Sequence, residues 1–317
     1  MSVLSSVMTA SICFWLWLYP VGLANGPTTN FLEASNAPKS ILRAGAAALS
    51  AGDYAGAYDQ FTQAIEQFPG AALSNRCLVN IKLEQYAAAE QDCLQALSVR
   101  ADEPEALLNL GLARYHLGHY EQAIASYQQL IQLNPTDYRA QYNLGAAEAA
   151  LGQHEMAIAY YTQALAATPE QPNAIIYRDR GVSYLLTADY DSAVNDLNTA
   201  VELAPTDLWA RFDRGCAYHR SKNFILALQD FDWVLAQDAQ MAKAYFNEGV
   251  VHAQMGHMQV AISNLRQAAK FFKSEGNVVQ VERSQQLIEK LKTKQSTPVK
   301  QLRPIRILLG TIANPFF

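Results

Sequence analysis

Asn109-Leu110-Gly111 returns 34 residues later as Asn143-Leu144-Gly145, and the residues that follow return with it. Gly118, Ala123, Tyr127 and Pro135 belong to the first of these copies; Gly152, Ala157, Tyr161 and Pro169 belong to the second. The same frame reappears in Gly181, Tyr190, Ala193, Leu197, Ala200 and Pro205, then in Gly215, Phe224, Ala227 and Phe231, then in Gly249, Gly256, Ala261 and Leu265. Upstream, Gly45, Gly52, Tyr54, Ala57, Phe61, Ala64 and Pro69 form a first copy, and Cys77, Tyr86, Ala89, Cys93 and Ala96 a more divergent second. Seven short units in register confine the chain to an array in which each unit must stack on its neighbours, because one alone cannot bury its apolar face.

Half of the residues are apolar, enough for a core, and that share leans on Ala, Leu and Tyr while Gly and Pro are sparse. Such a composition favours helices. The repeat pattern resembles the tetratricopeptide repeat (TPR) family over residues 38–275. The resemblance implies an all-α, right-handed superhelical solenoid of seven TPR helix-turn-helix repeats, closed by a C-terminal capping helix at 276–294. Each matching residue has a physical role in that hairpin. With Gly111 at repeat position 8, a small residue there lets the first helix (A) approach the second (B), where Ala at position 20 meets it. Aromatic or aliphatic groups at positions 17 and 24 fill the space between, and Pro at position 32 ends helix B.

At ~100° per residue, positions 4, 7, 8 and 11 of helix A form a stripe toward helix B, with positions 2, 5, 6 and 9 roughly opposite. The second set is expected to line the concave surface on which the family holds peptides. Position 6 reads Asn75, Asn109, Asn143, Asp179, Asp213 and Asn247. An amide both donates and accepts, so such a ladder could grip an extended backbone, or it could bond neighbouring helices. Tyr142, Arg178, Phe212 and Phe246 at position 5, with Arg139, Trp209 and Lys243 at position 2, complete the candidate peptide-binding set. Aromatics on a face expected to be solvated read as anchors, with stacking between repeats as the competing role. Position 9 is nowhere Asn, so the carboxylate clamp of chaperone-binding TPR proteins is absent. Arg76, Arg180 and Arg214 at position 7 occur in the same three repeats as Asp92, Asp196 and Asp230 at position 23, and are expected to pair within their hairpins.

No phosphate loop, nucleophile elbow or zinc-protease motif occurs, and no catalytic residue, metal or cofactor is expected. His116 and His119 are expected to be solvent-facing polar side chains rather than metal ligands. Cys77 and Cys93, at positions 8 and 24 of one repeat, should face each other, as two buried thiols or, after export, as a disulfide. Residues 1–265 carry 14 Lys+Arg against 26 Asp+Glu, a net −12, and residues 266–317 carry 10 against 3, a net +7. The acidic body argues against a nucleic-acid groove.

Residues 1–24 hold no charged side chain and the apolar run Ile12 to Tyr19, and are expected to be a signal peptide or an N-terminal membrane anchor, followed by a linker at 25–37. That places the protein outside the cytoplasm or on a membrane. The basic and apolar tail at 295–317 is expected to touch an anionic membrane or to pack under the last repeat. The expected function is that of a TPR scaffold binding an extended segment of a partner protein. A membrane-associated assembly factor and the substrate-docking arm of an enzyme complex are the alternatives.

Overall fold

A computed structural model describes residues 40–168, 170 and 172–296. The expected leader at 1–24, the linker at 25–37 and the tail beyond Ser296 lie outside the described residues. Among those described there are fifteen helices and no strand. They are α1 (Ser40–Ser50), α2 (Tyr54–Ala64), α3 (Pro69–Lys82), α4 (Tyr86–Val99), α5 (Pro104–His116), α6 (Tyr120–Leu133), α7 (Tyr138–Ala150) and α8 (His154–Ala167), then α9 (Ala174–Leu186), α10 (Tyr190–Leu203), α11 (Leu208–Arg220), α12 (Phe224–Gln237), α13 (Ala242–Gln254), α14 (Met258–Ser274) and α15 (Val278–Ser296). Consecutive pairs from α1/α2 to α13/α14 make the seven hairpins, and α15 packs on α14 through Leu287, Ile288 and Leu291. No described helix is long and apolar enough to cross a membrane.

The chain divides into two compact units at Asn173, one holding α1–α8 and the other α9–α15. The break coincides with an irregularity in the frame. Gly111 and Gly145 are 34 residues apart, as are Gly181, Gly215 and Gly249, but two extra residues separate Gly145 from Gly181. Within each unit every helix B also packs on the helix A that follows, so the core is built between hairpins as much as inside them. Ala106, Leu110 and Ala113 of α5, for example, share a cluster with Cys77, Cys93 and Ala96 of the preceding hairpin.

The hairpin seam is set by repeat position 8. A Cβ placed on Gly145 would lie 2.6 Å from Tyr161 Cε1, and one on Gly215 would lie 2.7 Å from Phe231 Cε1. Those rings stand at position 24 and are fully or nearly fully buried. In the second repeat the same two positions are Cys77 and Cys93, joined as a disulfide with Cα atoms 5.4 Å apart. Of the two readings the sequence left open, the covalent one is what the structure holds. The hairpin turn needs a left-handed residue, supplied by Gly52, Gly118, Gly152 and Gly256 at φ between 77° and 85°. In the second, fifth and sixth repeats that place is taken by Glu84, Ala188 and Lys222, at φ 58°, 64° and 66°.

Those three repeats are the ones with the position 7 and 23 ion pairs, and all three pairs form. Each is bidentate, with Arg76 donating to Asp92 at 2.8 and 2.6 Å, Arg180 to Asp196 at 2.7 and 2.8 Å, and Arg214 to Asp230 at 2.8 and 2.7 Å. The seventh repeat makes a neutral-to-charged version, in which Asn264 Nδ2 donates to Glu248 Oε1 at 2.7 Å. One expectation changes at the start of the array. Pro69 does not close the first helix B; it opens α3 as its first residue, and α2 ends early at Ala64. A proline fits there because the first amide of a helix has no partner to lose.

Two predictions follow from the seams. Asp196→Ala strands the Arg180 guanidinium in a mostly covered site and is expected to destabilise the chain by about 3 kcal/mol, whereas Arg180→Met with Asp196→Leu should fall within about 1 kcal/mol of native. Urea melts of the two variants decide it; equal losses would mean that the pair itself contributes the stability. Reduction of Cys77–Cys93 opens a short loop and should cost about 3 kcal/mol. Cys77→Gly with Cys93→Tyr, which restores the glycine-to-ring contact of the other repeats, should recover part of that loss under reducing conditions; a melt insensitive to reductant would contradict the bond.

Candidate protein-binding face

Helix A leaves little of its second stripe open, because neighbouring A helices also touch within each unit. In the α1–α8 unit Asn75 is half-buried and its Nδ2 donates to Ala71 O of its own helix at 2.7 Å. Asn109 is buried, while Asn143 and Tyr142 are half-buried, Tyr142 lying against Tyr161 with centroids 5.7 Å apart. Arg139 is spoken for. Its guanidinium donates to Glu105 of the preceding A helix at 3.2 and 2.8 Å and to Asp137 at 3.1 and 2.8 Å. Asp137 is the N-cap of α7 and accepts from Arg139 N, and Asn173 and Asp207 cap α9 and α11 in the same way. The recurrence of an Asx residue before helix A was the sequence signal for these caps.

In the α9–α15 unit the expected aromatic anchors are redistributed. Phe212 is 3% exposed and Phe246 is 4% exposed. Phe212 packs on Phe231 of its own hairpin at 5.9 Å, and Phe246 on Phe272 at 6.4 Å with the Arg283 guanidinium 5.4 Å from its ring centre. The expectation of a solvated position 5 is therefore corrected. Position 5 lies only ~60° around the helix from position 8, so it borders the hairpin seam and its rings are drawn into it. Trp209 and Lys243, at position 2, are the half-exposed members, with Lys243 Nζ 5.6 Å from the Trp209 ring centre and Trp209 edge-on to Phe212 at 5.9 Å.

Position 6 is also more covered than a presented ladder requires. Asn247 is buried, and its Nδ2 donates to Cys216 Sγ of the neighbouring A helix at 3.6 Å. Burial pushes the Cys216 thiol well up, so this free cysteine is a packing group rather than a reactive one. Arg178 is buried and donates to Asp179 Oδ1 at 3.2 and 3.0 Å, with its Nη1 3.8 Å from Asp207 Oδ2. Asp213 sits next to this group and is 7% exposed. Its carboxyl is pushed up to about 7, by burial first, with Arg178 and Lys243 opposing and Asp207 and Asp179 adding to the rise.

His116 is partly covered rather than solvent-facing. It stacks on Tyr86 with centroids 4.2 Å apart, and burial holds its imidazole down at about 4, neutral at ordinary pH. Among the described residues no group of three or more His, Cys, Asp and Glu side chains could hold a metal ion.

This helical-hairpin array, with helix-A faces of mixed amide, charge and aromatic character, has the architecture of a repeat interaction scaffold. The chain belongs to the tetratricopeptide repeat family: sequence profiles described as tetratricopeptide repeat match residues 39–71, 78–124, 108–172, 176–207 and 242–273. No curated protein matches it significantly in sequence. Among solved structures it is similar to YrrB, described as a TPR protein with an unusual peptide-binding site, at 22% identity over 60% of this chain and 97% of that one, with a TM-score of 0.50. A tetratricopeptide repeat protein from Parabacteroides merdae ATCC 43184 matches 78% of this chain and 98% of its own at 17% identity and a TM-score of 0.59. The Cut9–Hcn1 hetero-tetramer of the APC/C gives 16% identity over 76% of this chain and 48% of that one, with a TM-score of 0.61. These likenesses show the fold.

Asp213 yields a stability prediction. Its carboxyl titrates near the ordinary 3.8 when unfolded and at about 7 when folded, so the folded chain holds the extra proton between those values. Stability is fully present below the lower value and falls as pH rises toward 7. Asp213→Asn should therefore be the more stable form above pH 7, by roughly a few kcal/mol, with the advantage shrinking toward pH 4. Thermal melts of both forms across this range test it; a difference independent of pH would refute the buried acid.

Proposed function

We propose that the protein is an adaptor that holds an extended segment of a partner protein against its helix-A faces. The observation that carries this reading is the half-exposed Trp209–Lys243 pair beside the polar group of Arg178, Asp179 and Asp213, of which Arg178 and Asp213 are buried. A large amphipathic ring flanked by fixed charge is the composition of a binding hot spot. Membership of a protein-interaction family and the peptide-binding site described for YrrB support the same reading.

We further propose that the protein works outside the reducing cytoplasm. The Cys77–Cys93 disulfide supports this, since such bonds persist in oxidising compartments, and it agrees with the apolar stretch expected to serve as an export signal or anchor.

A photo-crosslinking residue at position 209 in the full chain, expressed in its native host, would identify the partner. Trp209→Ala is then expected to weaken the purified complex at least about tenfold, with helicity unchanged. Unchanged affinity here, with loss on replacing the exposed Ile225 and Leu226 of α12, would move the site to the opposite face of the hairpins.

A further inference from the structure

We propose that Asp213 is the recognition carboxylate for a cationic side chain, Arg or Lys, carried by the bound segment. The proposal rests on the groove reading above and specifies its ligand. Asp213 and Trp209 stand four residues apart on α11, so the carboxyl and the half-exposed ring share one helix face. The acid suits a guanidinium or ammonium through ion pairing, and the ring beside it offers apolar cover to the aliphatic stem of such a side chain.

The charges already present leave this acid over. Three carboxylates, Asp179, Asp207 and Asp213, meet two cations, Arg178 and Lys243. Arg178 is directed onto Asp179 and toward Asp207, and Lys243 lies over the Trp209 ring. Among the described residues the Asp213 side chain accepts no hydrogen bond and has no cation within ion-pair reach, although it is more than nine-tenths buried. Burial disfavours its charged form by more than the nearby charges of Arg178 and Lys243 restore, and the carboxyl is held at about 7 for that reason. A ligand cation brought against it supplies the missing partner.

The test uses the full chain and an array of capped random nonapeptides. Native protein is expected to retain peptides enriched in Arg and Lys, and Asp213→Asn to lower that enrichment at least about tenfold while still retaining peptides. Helicity of the near-isosteric variant, read by circular dichroism, confirms that the array is intact. Retention with no cationic enrichment, or enrichment indifferent to Asp213→Asn, would overturn the assignment and leave the groove reading standing. Retention of no peptide would count against both. Enrichment that appears only when residues 297–317 are deleted would show that the chain's own basic tail supplies the cation, and would overturn a partner origin.

Discussion

The contact between repeat positions 8 and 24 governs this molecule. With no side chain at Gly45, Gly111, Gly145 or Gly215, the aromatic ring sixteen residues on lies directly against the backbone of helix A, and the two helices of the hairpin close on each other. Leu197 and Leu265 fill the same place against Gly181 and Gly249. Close-packed interiors leave no slack for an added methyl group at such a site. The spacing from glycine to ring therefore fixes the hairpin geometry, and the hairpin geometry decides which sides of helix A can face outward. Cys77 and Cys93 achieve the same closure covalently at the same two positions.

Three hairpins depart from this plan together. The second, fifth and sixth place Glu84, Ala188 and Lys222 in the left-handed turn, a conformation that costs a residue with a Cβ about 1–2 kcal/mol. In each, the Arg–Asp pair joins helices A and B at residues eight before and eight after that turn. The pair fastens the hairpin symmetrically about its strained point. Its bidentate geometry fixes the relative register of the two helices, which an apolar contact would leave freer to slide.

The fold was legible because it is repeated. Small residues, rings and alanines at fixed intervals name their partners sixteen or twelve residues away, and the Arg–Asp pairs could be read from co-occurrence alone. The candidate site was legible only in part. Phe212 and Phe246 belong to the same helix side as Trp209 in a coarse two-stripe division, yet position 5 borders the seam and position 2 does not. What buries position 6 is the neighbouring A helix, as Asn247 shows against Cys216. That contact lies between repeats and has no signature within one. The two extra residues between Gly145 and Gly181, by contrast, were visible in the numbering and fall where the chain divides.

The two units differ in how completely their polar groups are satisfied. In α1–α8 the cation of the helix-A face, Arg139, is clamped by Glu105 and Asp137, and Asn75 is bonded to its own helix. A face with its charges paired internally offers shape and weak hydrogen bonding to a ligand, and little discrimination. In α9–α15 the pairing stops one carboxyl short, at Asp213, beside the half-exposed Trp209. Buried charge without a partner is unfavourable in the free protein, and the same deficit becomes selectivity once a complementary group arrives, because a ligand lacking that group leaves the deficit in place. On the proposed reading, recognition chemistry in this scaffold concentrates in its second unit, at the polar group around Asp213.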